Sequence, residues 1–271
     1  SGFVSAASDN ANQHWLVILD EQGEIKHKLV LPARAHQIKV QPNSSILAVA
    51  ARRPGTYLMI VDAEKGEIIH QLIPEKGQHF YGHSSYSLDG RYLYTTENHI
   101  DSGDGRIVVR DAESDYQIIN TFSSHGIGPH EIKIHPDGKT LVVANGGILT
   151  HPDSGRTKLN LDTMSPSLVY LAAENGELLE QRKLPGHLHQ LSIRHIDINK
   201  AGLTAVALQY QGGQFDSMPL ILLHKRGEGL KTLWAPEHIN RRMKNYCGSI
   251  CFNKSGSIFA VTAPRGDLLT L

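Results

Sequence analysis

The sequence predicts an all-β fold of the β-propeller class, built from four-stranded antiparallel blades. A unit of about 47 residues recurs along the chain, and its copies begin near a histidine in "RAHQIKVQPNS", "YGHSSYSLDG" and "GPHEIKIHPDG". Short apolar stretches alternate with Asp-Gly and Asn-Gly pairs, which are hairpin turn signals. Four short strands in every ~40–50 residues are typical of a propeller blade. A β-sandwich is the rival fold, but it does not predict the recurring order of histidine, turn and aspartate.

The repeat can be followed as four complete copies, each with four strands in the same order. The first strands are predicted at His36–Val40, His83–Ser87, His130–Ile134 and Leu191–Ile198, and the second strands at Ile46–Ala50, Tyr92–Thr95, Leu141–Ala144 and Thr204–Leu208. The third strands are predicted at Tyr57–Val61, Ile107–Val109, Leu168–Leu171 and Leu220–Leu223, and the last at Ile68–Ile73, Ile118–Phe122, Leu178–Leu184 and Leu230–Trp234. We therefore expect one propeller domain over residues 1–271.

Two partial copies flank the complete ones. The strands predicted for them are Phe3–Ala7, Trp15–Leu19 and Ile25–Leu31 before the first complete copy, and Ser249–Phe252 and Ile258–Thr262 after the last. An open ring would expose sheet edges, and propellers usually avoid this by completing one blade with strands from both termini. We therefore expect seven blades in the whole ring, with the C-terminal end truncated at Leu271. The stretch Ala235–Asn245 is the one candidate for a short helix.

Composition excludes several classes of protein. Lys+Arg and Asp+Glu number 27 each, so the chain has no net charge and lacks the basic surface of a general nucleic-acid binder. No apolar run approaches the ~20 residues that span a membrane. Cys247 and Cys251 are too far apart along a strand to form a disulfide, and we expect buried free thiols.

The recurring histidines are the first candidates for a binding site. In a propeller the first strand of each blade lines the central channel, so these side chains are expected at one mouth of that channel. Neutral imidazoles bind transition metals and haem, which makes His36, His83 and His130 candidates for a metal site. The pair His189 and His195 is expected at the same mouth. In the alternative, structural interpretation, each histidine bonds nearby backbone groups and fixes the connection between blades.

The spacing of these histidines sets a condition on the first strands. His130 precedes the turn residue Asp137 by seven residues, whereas His83 precedes Asp89 by six. Side chains alternate between the two faces of a strand, so the two histidines would face opposite sides unless a β-bulge intervenes.

Polar groups also end several second strands. These residues are Glu97 and Asn98 in "TTEN", Asn145 in "VAN", Gln209 and Gln211 in "QYQ", and Arg265 in "APRG". Such termini are normally solvated turns, but their recurrence at equivalent positions makes Glu97, Asn145 and Arg265 candidate ligand-binding residues.

The third copy carries a long insertion, "NGGILTHPDSGRTKLNLDTMSP", between its second and third strands. Most loops are short, and a long one usually has a function. Its polar groups are His151, Asp153, Arg156, Lys158, Asn160 and Asp162. We expect it to cap the channel mouth or to recognise an anionic ligand through Arg156, with His151 beside it. The alternative is a lid that is hydrogen-bonded only to itself. A calcium loop is disfavoured because the acidic spacing does not match.

The signature "HPDGKTLVVAN" resembles the repeat of lactonase-type and surface-layer-type propellers. Longer segments, among them "HFYGHSSYSLDGRYLYTTEN", "LHQLSIRH" and "NYCGSICFNKSGSIFAVTAPRG", resemble domain of unknown function family 1513 over essentially the whole chain. The resemblance implies an exported protein with a twin-arginine-type leader and a periplasmic location. It also implies a link to iron uptake, because genes of this family often neighbour those of imelysin-type proteins. No catalytic residues are established for the family.

Three functions remain open. The first is an exported ligand-binding or protein-interaction propeller, with an imelysin-type partner or a small ligand. The second is a lactonase-like hydrolase with His130 or His195 as general base and Arg156 or Arg265 polarising a carbonyl, although "GPHE" departs from the "GPRH" of lactonases. The third is a metal- or haem-associated redox propeller. No GxSxG, HExxH, P-loop or CxxCH motif is present.

Overall fold

The structure is a computed structural model that describes residues 2–155 and 157–271. These residues form 22 strands in six sheets, and in every sheet the strands that follow one another in the chain are hydrogen-bonded neighbours. Each sheet has three or four antiparallel strands, so the fold is all-β with six blades of the propeller type. Contacts divide the chain into two compact units. One reaches to Asp101 and includes Arg106–Thr121, and the other contains Ser102–Gly105 and Phe122–Leu271.

The first unit contains sheets 1 to 3, although β10 and β11 continue into residues of the second. Sheet 1 consists of β1 (Phe3–Ser8), β2 (His14–Leu19) and β3 (Ile25–Leu31). Sheet 2 consists of β4 (Ala35–Val40), β5 (Ile46–Ala51), β6 (Leu58–Asp62) and β7 (Glu67–Leu72). Sheet 3 consists of β8 (Gln78–Tyr86), β9 (Tyr92–His99), β10 (Asp104–Asp111) and β11 (Gln117–Ile127).

The core of the first unit lies on both faces of sheet 2. Val49 and Met59 face the residues of sheet 1, and their chain neighbours Ala48 and Ile60 face Phe80 of sheet 3. Both faces are therefore buried, which explains why β5 and β6 are continuous apolar runs without the alternation of a half-exposed strand.

The second unit contains sheets 4 to 6. Sheet 4 consists of β12 (Pro129–Ile134), β13 (Thr140–Asn145), β14 (Ser167–Ala172) and β15 (Leu178–Lys183). Sheet 5 consists of β16 (Leu191–Ile198), β17 (Leu203–Tyr210), β18 (Ile221–Lys225) and β19 (Lys231–Leu233). Sheet 6 consists of β20 (Ser249–Phe252), β21 (Phe259–Ala263) and β22 (Leu268–Thr270). One buried cluster runs through this unit and includes Tyr170, Leu208 and Val261.

The structure confirms the all-β propeller class, and its described residues form six blades. The expectation of a seventh blade has no support in these six sheets. The seventh blade rested on how propellers in general close their rings, and no residue of this chain specified it. The three strands predicted before the first complete copy form sheet 1, and the predicted short helix is present as α1 (Glu237–Arg242). The sequence missed β22, which follows the turn at Pro264–Gly266.

The expected domain organisation and the predicted state of the cysteines have different outcomes. The single domain over residues 1–271 stays a prediction. Cys247 is buried as expected, whereas Cys251 is exposed, and both are free thiols. No helix in the described part of the chain is long and apolar enough to cross a bilayer.

Candidate ligand site at the paired histidines

The first strand of four sheets is interrupted by a β-bulge at the place where the repeat puts its histidine. The pairing shifts between Ala35 and Gln37 in β4 and between Pro129 and Glu131 in β12, so that His36 and His130 are the extra residues. In β16 the shift lies between Ile193 and His195, and in β8 between Phe80 and Ser84. A bulge is therefore present in all four of these first strands, and bulges commonly re-aim a side chain at a functional site.

The bulges also establish which residues are equivalent between sheets. The reference point is the residue whose backbone N–H closes the first hairpin turn of each sheet. His36, Gly82, His130, Arg194 and Gly248 precede these residues, Gln41, Ser87, His135, Asn199 and Asn253, by five positions. The next position holds Gln37, His83, Glu131, His195 and Ser249. His83 and His195 are therefore equivalent to each other, and Arg194 occupies the position of His36 and His130.

In the first unit, His83 packs against His36. The two ring centroids are 4.8 Å apart and the rings are nearly perpendicular, at 86°. The neighbouring Gln37 accepts a hydrogen bond through Oε1 from the backbone N–H of Ser84, at 2.7 Å. Gly82 adopts a φ of +106°, and a Cβ there would lie 2.7 Å from Cδ2 of His36. The His36 ring thus occupies space that only glycine leaves open.

In the second unit, His195 packs against His130 in the same way. The ring centroids are 4.7 Å apart at 77°, and the two Nε2 atoms lie 3.4 Å from each other. Glu131, at the position of Gln37, accepts from the backbone N–H of Ile196 at 2.8 Å. The same Oε2 atom lies 3.3 Å from Nδ1 of His195. The two units therefore share one local arrangement, in which a carboxylate replaces the amide in the second.

Arg194 fixes the direction of the hydrogen bonds at this pair. Its Nη1 lies 3.1 Å from Nδ1 of His130, and a guanidinium can only donate. Nδ1 of His130 must therefore accept, so its proton is on Nε2 and points to His195. His195 then accepts at Nε2 and donates from Nδ1 to Glu131. Three hydrogen bonds thus run in one direction from the guanidinium to the carboxylate.

This direction argues against a metal between the two rings. Nitrogen atoms 3.4 Å apart would suit two ligands of a tetrahedral zinc with Zn–N bonds of ~2.0–2.1 Å. An imidazole that binds metal through Nε2 keeps its proton on Nδ1, however, and Arg194 already places a donor there. The donor set of His130 and His195 therefore fits a hydrogen-bonded relay better than a metal centre.

An ion pair between Lys133 and Asp197 lies beside Glu131. Lys133 lies with its Nζ 3.2 Å from Asp197 and 3.9 Å from Glu131. Burial works to lower the pKa of Lys133, but the two carboxylates outweigh burial and raise it. Asp197 also accepts the backbone N–H of Phe252 at 2.7 Å. These contacts hold β12, β16 and β20 together and fix the position of Glu131 on His195.

The insertion after β13, called the lid below, adjoins β16 at its base. The hydroxyl of Ser192 donates to the carbonyl of Gly146 at 2.8 Å. Within the lid, the Asn160 side chain donates to the carbonyl of Gly147 at 3.0 Å and accepts from the N–H of Leu149 at 2.7 Å. His151 accepts from the N–H of Asp153 and caps the short turn Pro152–Ser154. Arg156, predicted as the anion-binding residue of this lid, lies outside the described residues.

Three further predicted site residues have contacts of a structural kind. Glu97 is fully buried and accepts from Arg110 at 2.9 Å within sheet 3. Asn145 is also fully buried and donates to the carbonyl of Ser124 at 2.8 Å. His189 lies in the short turn before β16, and its Nδ1 lies 2.8 Å from the carbonyl oxygen of Gly186. Their roles in ligand binding stay predictions.

The residues predicted for a metal are divided between the two units, since His36 and His83 belong to the first and His130 to the second. Sequence reasoning missed Arg194 and Glu131 as members of the site. Arg194 could have been found by aligning the first turns of the copies, which places it in register with His36. Glu131 stands beside His130 in "GPHE", where the sequence shows it only as a departure from the lactonase pattern.

Comparison with known proteins gives a family and a fold. A chain named Kuenenia stuttgartiensis Hydrazine Synthase is similar in structure, with a TM-score of 0.69 and 15% sequence identity, over 94% of this chain and 71% of that chain. At this identity the likeness shows the fold alone. No curated protein matches the chain. A family model described as "Protein of unknown function (DUF1513)" matches residues 29–271, and the chain therefore belongs to the DUF1513 family.

Proposed function

We propose that this protein is a ligand-binding propeller whose site is centred on His130 and His195 of the second unit. The observation that carries the proposal is the contact of Arg194 with His130, in series with the contact of Glu131 with His195. Both imidazoles are half-buried, so a ligand can reach them without unfolding the sheet. A small number of fixed polar groups is typical of a small-molecule site.

A thermal-shift screen of small metabolites tests this proposal. A compound that binds at the pair should raise the Tm of the wild-type protein and leave that of His195→Gln unchanged. His238 is exposed on α1, so His238→Gln is the matched control and should respond like the wild type. A compound that shifts all three proteins equally binds elsewhere. If every stabilising compound behaves in that way, the site assignment is wrong.

The location and partner are part of the same proposal. Resemblance to the family supports a periplasmic protein exported by a twin-arginine leader, with an imelysin-type iron-uptake protein as partner. Cell fractionation of the full-length protein tests the location. Co-purification with an imelysin-type protein, compared between wild type and an exposed-surface variant, tests the partnership.

Hydrolysis is a second candidate function, because one specific contact favours it. Glu131 orients the Nδ1–H of His195, which leaves Nε2 as a base for a water molecule once a substrate has displaced the bond from His130. Arg265 would polarise the carbonyl of a lactone or ester. Turnover across a lactone panel at neutral pH, lost in His195→Gln and retained in His238→Gln, would establish this activity. An inactive wild type over the whole panel would exclude it.

A transition metal at His36, His83 and His130 stays a prediction from the sequence, as does a redox role with metal or haem. Metal analysis of the purified protein tests it, with His130→Ala and His36→Ala beside His238→Ala. Metal lost in the first two variants and retained in the third would support the site. Equal metal content in all variants would contradict it.

A further inference from the structure

We infer that the ligand carries a carboxylate or a phosphate group, which Lys158, Arg194 and Arg265 bind together at the His130–His195 pair. This inference rests on the proposed function and adds the chemical class of the ligand. All three cations belong to the second unit and come from different segments: the lid, β16, and the turn after β21.

Hydrogen bonds bring the lid to the end of sheet 5 where β16 begins. The Gln190 side chain donates to the lid carbonyl of Leu161 at 3.4 Å. The carbonyl of Gln190 accepts from the N–H of Gln211, at 3.0 Å, just beyond the end of β17. Together with the bond from Ser192 to Gly146, these contacts fix the base and the far arm of the lid at one place. Lys158 lies between those two arms in the chain, and its side chain is exposed.

Arg265 reaches the same end of sheet 5 from another segment. Tyr246 pairs with Gln209 near the end of β17 through an isolated β-bridge. The guanidinium of Arg265 lies over the Tyr246 ring, 4.2 Å from its centroid. Stacking of this kind orients the planar fork while its N–H donors stay available. The aromatic ring therefore presents an exposed arginine in a defined position.

The positive charges of Arg194 and Arg265 act on Lys158. Desolvation and these charges together lower the pKa of Lys158. In the described part of the chain, neither Lys158 nor Arg265 has an ion pair or a hydrogen bond to a carboxylate. The acids near the pair are already engaged, since Glu131 bonds Ile196 and His195 while Asp197 bonds Phe252 and Lys133.

A bound anion would offset the positive charges of Lys158, Arg194 and Arg265. The side chains present indicate which anionic groups fit. Arginine side chains bind carboxylate and phosphate oxygens with two parallel hydrogen bonds, and lysine adds a point charge. A neutral sugar or an organic cation would leave the positive charges uncompensated.

Nuclear magnetic resonance of the histidine rings, with inorganic phosphate and citrate as probes, tests the inference. We expect at least one anion to shift the ring nitrogens of His130 and His195 saturably in the wild-type protein. Lys158→Gln and Arg265→Gln should each weaken the binding about tenfold or more, because each removes a charge-assisted hydrogen bond. Lys200→Gln, at an exposed turn of sheet 5, is the matched control and should bind like the wild type. Circular dichroism of the variants checks that the exposed substitutions leave the fold intact.

The outcomes separate this inference from the proposed function. If neither anion shifts the rings but glycerol, glucose or another neutral compound does, the ligand site stands and the anionic class is wrong. If the anions bind but Lys200→Gln weakens them as much as Lys158→Gln, the attraction is a general effect of charge and the inference fails. If no compound of either class shifts the rings, the ligand site itself is refuted.

Discussion

The Nε2 atoms of His130 and His195 lie 3.4 Å apart, and the ring of His195 stands edge-on to that of His130 as His83 stands to His36. The arrangement is the same in both units because each ring pair is accompanied by the same hydrogen bond. The backbone N–H of Ser84 donates to Gln37 in the first unit, and that of Ile196 donates to Glu131 in the second. A structural role accounts for this shared part. Two residues distinguish the second pair, since Glu131 stands in place of Gln37 and Arg194 stands in place of Gly82.

Replacement of Glu131 by alanine should destabilise the protein, whereas replacement by glutamine should not. In Glu131→Ala the buried N–H of Ile196 loses its acceptor, which costs about 1–3 kcal/mol. Glu131→Gln keeps an acceptor for that N–H, so its free energy of unfolding should lie within about 1 kcal/mol of the wild-type value. It removes the negative charge beside His195, so ligand binding should still fall. Urea unfolding and ligand titration of the same two variants check both effects.

The first unit supplies the control. Gln37 accepts the N–H of Ser84 as Glu131 accepts that of Ile196, so Gln37→Ala should cost a similar amount of stability. It should leave ligand binding at His195 unchanged. Loss of binding in Gln37→Ala at equal stability would mean that the carboxylate is not what distinguishes the two pairs.

The sequence could predict the strands of the repeat, because turn residues and apolar runs mark them locally. The predicted start of β4 at His36 and of β12 at His130 each differ from the structure by one residue. β8 begins at Gln78 instead of His83, because residues before the bulge also pair with β9. Local composition does not reveal a pairing that depends on a distant strand.

The site was harder to predict than the strands. The sequence predicts His189 and His195 at the same mouth as the earlier histidines. The structure puts His195 in register with His83, whereas Arg194 takes the position of His36 and His130, because the bulge and the turn together define the register. Glu97 and Asn145 were selected for their polarity at strand ends, yet both are buried within their sheets. Burial of a polar strand end depends on neighbouring sheets, which the sequence does not specify.

Replacement of Gly82 should disturb the first histidine pair. Gly82→Ala places a Cβ 2.7 Å from the His36 ring at a φ of +106°, so we expect a loss of about 2 kcal/mol or more. Gly77 is the matched control, since its φ is +81° and the nearest atom to a Cβ would be 3.9 Å away. Gly77→Ala should cost about 1 kcal/mol from the backbone alone. Equal losses in urea unfolding would show that the His36 ring moves aside freely.

At the buried ion pair of sheet 3, replacing one charged partner should destabilise the protein more than replacing both. The Glu97 and Arg110 side chains are 0% and 4% exposed, and burial raises the pKa of Glu97 despite the arginine. Arg110→Met leaves a buried carboxylate and should cost about 3–5 kcal/mol. Adding Glu97→Gln should recover part of this loss. The exposed pair of Arg241 with Glu237 is the control, and Arg241→Met should cost less than about 1 kcal/mol.

A double-mutant cycle in urea decides the point. The prediction requires the double variant, Glu97→Gln with Arg110→Met, to be more stable than Arg110→Met alone. If the double variant is instead the less stable of the two, the charge on Glu97 is not the source of the penalty.

His224 should make the stability of the second unit depend on pH. Its Nδ1 lies 2.7 Å from the hydroxyl of Tyr170, and its Nε2 faces the carbonyl of Glu228 at 3.0 Å and Glu180 at 3.3 Å. Burial lowers the pKa of His224 below its ordinary value of 6.5, with the charge of Arg182 acting in the same direction and Glu180 against it. The folded state therefore favours the neutral ring. This contribution is present above pH 6.5 and is lost as the pH falls through the lower pKa of the folded state.

A comparison of variants isolates this effect from that of the other histidines. His224→Gln loses a titrating group, so its Tm should fall less than that of the wild type between pH 7.5 and pH 5. The variant should also be less stable than the wild type at pH 7.5, by about 1–3 kcal/mol, because the bond to Tyr170 is impaired. The exposed His238→Gln should follow the wild-type profile over the whole range. A His224→Gln profile parallel to the wild type would show that this ring takes up its proton without cost to the fold.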